Sequence, residues 1–477
     1  MNREKKLVKN TAILAIGQLS SKIFTFLLLP VYTSLLRPDD YGMIDVLQTI
    51  ISLALYFVTL QIENAIFRFL IENRTKEDDQ ISYVTSAGVV LFVMVVASTL
   101  VVMIINSFYA IPYANLITIN LWIQSLYMFV SNMARGLGKN IDYSIASFIV
   151  TLSSLIINIV LIIGFKCGAV SILVALAFSN LIGFVYLIYR LRIWKFIKGD
   201  AVNFKKIQEM LQYSLPLIPN AISWWIANTS DRLMIIYFLG TEFNGIYAAA
   251  NKIPTIYTTI FTVFNTAWTE SVSLAINDSD RDEYINSMMN NGFKLFSFVN
   301  MGIIVCVSLS FRLLIGKEYE IAYDHIFILL VAIFINSMCS LLGGVLGGLK
   351  DTKMIGWTTV VGAISNALIN FAFIEKIGLY AASMSTLVSY LIIFIIRFKA
   401  VKKVVFIKIS NEYILQCVIM LLIIFGGYFY RNDIINVLIL IILTVWGFIQ
   451  NKNILFPFIN LIMDKLLGSL KFLNRRS

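Results

Sequence analysis

The chain has 477 residues, of which 59% are hydrophobic, and its mean hydropathy is +0.82. This composition excludes a soluble globular protein, because apolar runs long enough to span a membrane follow one another from about residue 11 to residue 451. The formal net charge of +11 does not indicate a nucleic-acid partner, since most of the basic residues lie in the turns between apolar runs or in the terminal segments. There they are expected to meet the anionic head groups of a lipid bilayer.

The hydropathy pattern predicts an all-α integral membrane protein with about 14 transmembrane helices. We number these predicted segments as spans 1 to 14: 11–36, 41–70, 81–106, 112–134, 141–164, 168–190, 211–239, 244–274, 292–315, 322–349, 354–375, 378–398, 411–430 and 432–451. With the N-terminus in the cytoplasm, 29 of the 38 lysines and arginines fall on the cytoplasmic side and only five on the opposite side. The positive-inside rule therefore predicts that both termini are cytoplasmic.

Spans 1 and 2 carry polar side chains at helical spacing. In span 1 these are Gln18, Lys22 and Thr25. In span 2 they form a stripe along one helical face, namely Asp45, Gln48, Thr49, Ser52, Tyr56, Thr59 and Glu63. Interhelical hydrogen bonding is the alternative explanation for each residue taken singly. A pair between Lys22 and Asp45 would lower the cost of placing either charge in the membrane.

Spans 7 and 8 continue this polar pattern in the second half of the chain. Their polar residues include Asn228, Asp231 and Arg232 in span 7 and Asn251, Lys252 and Thr255 in span 8. An ionised group near the bilayer centre costs about 2.5–3.5 kcal/mol on insertion scales, so such groups usually face a hydrated cavity. We predict a central cavity lined by spans 1, 2, 7 and 8, where Lys22, Arg232 and Lys252 bind an anionic group such as phosphate. The alternative is that these basic side chains reach the membrane interface.

The two halves of the chain resemble each other. Residues 32–42 match residues 235–245, and weaker matches follow in the same order. We predict two parallel six-helix repeats, an N-terminal lobe (1–190) and a C-terminal lobe (211–400), joined by a basic cytoplasmic linker (191–210). Residues 401–477 would add two helices and a basic cytoplasmic tail. A transporter built from such repeats binds its substrate between them and alternates access by rocking them.

A second group of polar residues carries oxygen ligands suited to a coupling ion. Asn366 and Asn370 lie one turn apart in span 11, Thr386 lies in span 12, and Asp231 would approach from span 7. These residues are predicted to bind Na⁺ or a proton, and helix packing is the alternative. No cofactor and no metal cluster are otherwise expected, because the chain has one histidine and four cysteines without CxxC spacing.

Four segments are more specific than the hydropathy pattern: 36–42 (LRPDDYG), 215–219 (LPLIP), 230–233 (SDRL) and 245–250 (GIYAAA). Over about residues 7–400 the chain resembles Wzx-type polysaccharide flippases of the multidrug/oligosaccharidyl-lipid/polysaccharide exporter superfamily. Ser21-Lys22 and Ala250-Asn251-Lys252 are similar to basic motifs of the related lipid II flippases, with Asn and Lys in place of Asp and Arg in the second motif. Glu375 departs from the family pattern, which commonly has proline there.

The resemblance implies a non-enzymatic flippase of the bacterial inner membrane. Its substrate would be an undecaprenyl-diphosphate-linked oligosaccharide, such as an O-antigen or capsule repeat unit, and other glycan assembly proteins would be its partners. One alternative is a cation-coupled multidrug antiporter of the same superfamily, although the basic residues Lys22, Arg232 and Lys252 argue against the acidic or apolar cavity it needs. A membrane-embedded glycan polymerase or ligase would need a large external loop, and no loop exceeds roughly 20 residues.

Overall fold

The computed structural model describes residues 26–452, except positions 277 and 409 and the side chains of residues 224, 227 and 228. This part of the chain is almost entirely helical and contains no β-strand, so the predicted all-α architecture is confirmed. Its helices, numbered in chain order, are α1 (Leu29–Leu35), α2 (Pro38–Thr59), α3 (Ile62–Glu72), α4 (Glu77–Tyr109), α5 (Ala114–Gly136), α6 (Asn140–Ile159), α7 (Val170–Leu191), α8 (Phe204–Ser214), α9 (Leu217–Leu239), α10 (Thr241–Ala275), α11 (Arg281–Leu314), α12 (Ala322–Gly348), α13 (Thr352–Ile377), α14 (Leu379–Val401), α15 (Asn411–Tyr430) and α16 (Asp433–Lys452).

Within the described residues, ten helices are long and apolar enough to cross a membrane. They are α2, α4, α6 with its π-helical end at Gly164, α7 and α11 to α16. The other four predicted spans correspond to span 1, which lies largely outside the described residues, and to α5, α9 and α10. Helices α9 and α10 contain the charged residues Asp231, Arg232 and Lys252. Polar and charged residues lower the mean hydropathy of a helix, so these two helices are not among the ten.

The predicted span 2 is interrupted near its end. The sequence pattern predicts one helix over 41–70, whereas the structure ends α2 at Thr59 and starts α3 at Ile62. Leu60 and Gln61 adopt left-handed backbone angles, with φ of 48° and 57°. The Thr59 hydroxyl accepts a hydrogen bond from the Gln61 amide, which helps to satisfy the backbone at the break. Residues 59–64 (TLQIEN) are more polar than the rest of the span, but hydropathy does not distinguish a polar helix face from a break in the helix.

The starts of α2 and α10 follow from local sequence. Pro38 lies in the first turn of α2, where its missing N–H costs nothing, and Asp39 and Asp40 follow at the positive end of the helix dipole. Gly240, with φ of 94°, ends α9, and α10 begins at the next residue. Such a backbone angle is strained for residues with a side chain, so glycine at this position allows the sharp reversal between the two helices.

The chain divides into two compact units, which we describe separately. The N-terminal unit comprises Met1–Lys252 and Ile315–Glu320, and the C-terminal unit comprises Ile253–Leu314 and Ile321–Ser477. In the N-terminal unit, α7 packs on α5 and α6, and α3 packs on α5. In the C-terminal unit, α14 packs on α12 and α13, and α11 packs on α12 and α15. The boundary at Lys252 reflects packing, whereas the lobes predicted at 1–190 and 211–400 follow the repeat and stay a prediction.

A buried arginine ties three helices of the C-terminal unit together. The guanidinium of Arg397 on α14 donates to the carbonyl oxygen of Cys339 on α12, at 3.0 Å, and to the Thr358 and Thr359 hydroxyls of α13, at 2.9 and 3.1 Å. It also donates to the Ile355 carbonyl at 3.2 Å. Neutral oxygen atoms therefore satisfy most of the donors of this cation, in the manner required of a buried charge.

Candidate functional site

An ion pair joins α2 to α9 in the N-terminal unit. Arg232 Nη1 lies 3.0 Å from Asp45 Oδ1, with 7% of the Asp45 side chain and 30% of the Arg232 side chain exposed. The second carboxylate oxygen of Asp45 accepts a hydrogen bond from Asn244 Nδ2 at 3.3 Å. Asp45 is thus held by a charge and by an amide, while part of the Arg232 side chain stays accessible. The geometry brings together two residues that the sequence assigned to the same cavity.

Next to this ion pair, the start of α2 touches the start of α10. The Asn244 amide donates to the Gly42 carbonyl oxygen at 3.1 Å, and the Thr241 hydroxyl donates to the Asp39 carboxylate. A Cβ atom added to Gly42 would lie 2.8 Å from the Gly245 nitrogen, and one added to Gly245 would lie 3.0 Å from the Gly42 nitrogen. Two glycines are therefore needed for the backbones to approach so closely.

We call residues 38–45 and 241–245 together the paired helix starts. Their residues 38–42 and 241–245 lie within the segments that match each other in the two predicted repeats. The 315–320 segment of the same unit packs beside them, where the Tyr319 hydroxyl donates to the Leu36 carbonyl oxygen at 3.1 Å. Burial raises the pKa of Tyr319 above its ordinary value, so the hydroxyl stays protonated as this donor.

A second polar group of the N-terminal unit connects α9 to α10. The Tyr247 hydroxyl donates to the Asp231 carboxylate at 3.2 Å, and Asn251 Nδ2 donates to the Tyr247 carbonyl oxygen at 2.9 Å. Lys252 follows Asn251 and is half-buried. Asp231 and Arg232 thus contact different partners although they are adjacent in sequence. Thr255, one turn further along α10, is also half-buried and belongs to the C-terminal unit.

The polar stripe of α2 runs away from the ion pair. Gln48 and Tyr56 are half-buried, and the exposed Ser52 accepts a hydrogen bond from Trp225 Nε1 of α9 at 3.0 Å. Glu63 is not part of the same continuous helical face, because the break at Leu60 and Gln61 separates it from the rest of the stripe. It lies in α3 with 2% of its surface exposed, and Asn64 Nδ2 is 3.4 Å from one of its carboxylate oxygens.

The side chains of three residues of the predicted cavity lie outside the part of the chain that the structure describes. Lys22 and Gln18 lie outside the described residues, and Asn228 is in α9 but its side chain lies outside the description. Their roles stay predictions. Sequence reasoning in turn missed Asn244, whose buried amide links Gly42 to Asp45, and Trp225. The glycine in the repeated motif, Gly245, was the signal that pointed to this region.

The predicted coupling-ion residues fall in two units. In the C-terminal unit, Asn366 Nδ2 lies 3.3 Å from the Thr386 hydroxyl and 3.4 Å from the Ser385 hydroxyl, and Asn370 is buried one turn further along α13. Asp231 belongs to the N-terminal unit. An ion site formed by all four therefore stays a prediction, which replacement of Na⁺ by choline in a transport assay would test.

Comparison with known proteins identifies relatives by sequence. A family model described as polysaccharide biosynthesis protein matches residues 7–269. A protein of the Lsg locus of Haemophilus influenzae is 26% identical over 269 residues, covering 55% of this chain and 65% of that protein. An uncharacterized membrane protein of Methanocaldococcus jannaschii is 22% identical over 423 residues, covering 83% of this chain and 98% of that protein.

Two solved structures show the same fold. An inward-facing MATE-family multidrug resistance transporter of the MOP superfamily has a TM-score of 0.65 at 13% identity, covering 82% of this chain and 99% of that one. The lipid II flippase MurJ, in an inward closed conformation, has a TM-score of 0.65 at 15% identity, covering 91% of this chain and 98% of that one. The fold is that of this superfamily, as the sequence predicts.

Proposed function

Because this chain belongs to the polysaccharide biosynthesis family, we propose that it flips lipid-linked oligosaccharides from the cytoplasmic to the outer leaflet of the bacterial inner membrane. The substrate would be an undecaprenyl-diphosphate-linked repeat unit of an O-antigen, a capsule or a related glycan. Access would alternate between the two sides of the membrane as the predicted repeats move. Proteins that assemble the glycan on one side and use it on the other are the expected partners.

The observation that carries this proposal is the partly exposed side chain of Arg232. It is anchored by Asp45 at 3.0 Å, and 30% of its side chain remains accessible. A guanidinium held by a carboxylate on one side can still donate to phosphate oxygens on the other, since it has five N–H donors. Lys252 supplies a second basic group in the same unit. Such groups suit a diphosphate better than they suit the cationic drugs handled by many multidrug transporters.

The function is tested by glycan export in a strain that lacks the gene. We expect the wild-type gene to restore surface glycan, and Lys22→Ala or Lys252→Ala to abolish export while membrane levels of the protein stay unchanged. Lys252→Arg should keep part of the activity, because the positive charge remains.

As a matched control, Lys353→Ala removes an exposed lysine from the start of α13, and this variant should export glycan normally. Full export by the Lys22→Ala, Lys252→Ala double variant would contradict the proposal. If the strain that lacks the gene keeps its surface glycan but loses drug resistance, the antiporter would be favoured.

The proposed orientation in the membrane is tested by cysteine labelling. Single cysteines at Glu242 and Asp433 should react with a membrane-impermeant reagent in intact cells, whereas those at Asp200 and Asp351 should react only after permeabilisation. All four positions are exposed in the structure. A cysteine that fails to react is therefore shielded by the membrane barrier rather than by burial in the protein. Labelling of Asp200 in intact cells would reverse the orientation predicted from the basic residues.

A further inference from the structure

The segment between α7 and α8 is docked against the side of α4. The Thr85 hydroxyl donates to the Phe196 carbonyl oxygen at 2.8 Å, and the Ser82 hydroxyl donates to the Ala201 carbonyl oxygen at 2.9 Å. Lys206 Nζ on α8 lies 2.7 Å from Asp79 Oδ1. These contacts come from three turns at the start of α4, so the connection between the two halves of the chain is a fixed part of the N-terminal unit.

The docking position also gives the depth of this segment. Residues 79–86 of α4 are mostly polar, and the uninterrupted apolar run of that helix starts at Ala87. The hydrogen bonds donated by Ser82 and Thr85, and the one that Ser86 accepts from the Asn203 amide, therefore hold the segment where α4 passes from polar to apolar. In a membrane protein this position corresponds to the boundary between the head groups and the hydrocarbon core.

The opposite side of the segment exposes large apolar groups. Phe204 is 84% exposed and Trp194 is 54% exposed, and the ring of Trp194 packs edge-on against that of Tyr189 at the end of α7. Along α8, Phe204, Ile207 and Leu211 share one helical face and line a shallow groove that continues to Leu215. The other face of α8 buries Met210 and Ser214 against the protein. Aromatic rings of this kind are typical of membrane interfaces.

Exposed basic side chains accompany these apolar groups. Arg192, Lys195, Lys198 and Lys205 are exposed, and Asp200 is the one exposed acidic residue between Arg192 and Leu215. Lys206 is excluded from this set, because it is paired with Asp79. The exposed part of the segment is therefore both apolar and cationic.

We propose that residues 192–215, which we call the linker surface, bind anionic phospholipids. Phe204, Ile207 and Leu211 would enter the acyl region while the exposed lysines contact the anionic head groups. The depth of the segment favours lipid over a protein partner, because its apolar side lies level with the start of the apolar run of α4. The linker surface is separate from the residues proposed to bind the substrate, so its binding of lipid does not depend on which substrate is transported.

The test uses the full-length protein in lipid nanodiscs. The exposed cysteines Cys167 and Cys306 are replaced by serine, and an environment-sensitive fluorophore is attached to Phe204→Cys. Brominated phosphatidylglycerol and brominated phosphatidylcholine quench a fluorophore that touches lipid, and iodide quenches one that faces water. We expect quenching by both lipids, stronger with phosphatidylglycerol, and little quenching by iodide.

Charge variants test the anionic preference. The triple variant Lys195→Gln, Lys198→Gln, Lys205→Gln should lose most of the preference for phosphatidylglycerol, since each basic residue at an anionic surface contributes about fivefold to binding. The control variant Lys350→Gln, Lys353→Gln, Lys402→Gln removes three exposed lysines from other predicted cytoplasmic turns and should keep the preference.

The remaining outcomes contradict the proposal. Quenching by iodide alone would place the linker surface in water. Equal quenching by the two lipids would show that the linker surface does not prefer anionic lipid. Protection from iodide and from both lipids would mean that protein covers this surface. A fluorophore on Ile441→Cys, a 55% exposed position of α16, provides the reference for lipid contact without charge selection.

Discussion

A disulfide between cysteines placed at Asp39 and Thr241 is expected to stop glycan export, and a reducing agent is expected to restore it. The two side chains are hydrogen-bonded in the structure, so the substituted cysteines should be close enough to react. They belong to segments that match each other in the predicted repeats. Alternating access requires the repeats to move relative to one another. A covalent bond across the paired helix starts should therefore hold the protein in one state.

The glycine contact explains why this position should be sensitive. Gly42 and Gly245 let the backbones of α2 and α10 approach so closely that a Cβ on Gly42 would lie 2.8 Å from the Gly245 nitrogen. A contact between bare backbones forms or breaks as a unit, because no long side chains can stretch to maintain it. We expect the crosslink to lower surface glycan to the level of a strain without the gene.

The controls separate a trapped transporter from a damaged one. Single cysteines at either position should export normally under oxidising conditions, in a background where Cys167 and Cys306 are serine. A second pair, at Asp142 and Arg190, replaces a 2.9 Å ion pair between α6 and α7 inside the first predicted repeat. Crosslinking that pair should leave export unchanged. Normal export by a fully crosslinked 39–241 variant would show that the paired helix starts need not separate during transport.

Neutralising the ion pair of Arg232 and Asp45 should separate its structural role from its role in transport. Arg232→Gln alone leaves Asp45, 7% exposed, without its cation. We expect a loss of up to about 3 kcal/mol of stability, at the low end for a buried pair because 30% of Arg232 is exposed. The double variant Arg232→Gln, Asp45→Asn keeps a hydrogen bond between neutral side chains and should recover most of that stability. It should still fail to export glycan, because the cation proposed to bind the diphosphate is gone.

Two measurements test this prediction. Thermal unfolding of the purified protein in detergent reports the stability of the single and double variants, and surface glycan reports transport. Gln124→Ala on α5, a half-buried polar residue whose amide donates to Asn120 rather than to either member of the ion pair, serves as the control and should change neither strongly. If the double variant exports like the wild type, the charge of Arg232 serves only to neutralise Asp45, and the diphosphate must bind elsewhere.

The membrane fold could be predicted from the sequence because its main physical cause is local. A helix that satisfies its own backbone in the membrane needs about 20 apolar residues, and that requirement is visible in the hydropathy of each span. The break in span 2 was not visible, because polar residues such as Gln61 and Glu63 fit a polar helix face as well as a break, and the left-handed angles of Leu60 and Gln61 leave no mark in the hydropathy. The buried Arg397 was also missed, since a basic residue near a helix end is ordinarily attributed to the adjacent cytoplasmic turn.

For the candidate site, the sequence by itself determined which residues are costly in a membrane, namely Asp45, Asp231, Arg232 and Lys252, and it matched the segments that contain Gly42 and Gly245. Only the tertiary structure decided their partners. It paired Arg232 with Asp45 rather than with the adjacent Asp231, and it brought Tyr247 to Asp231 and Asn244 to both Gly42 and Asp45. The physical reason is that the cost of burying a charge depends on the residue alone, whereas its compensation depends on which helices pack against it.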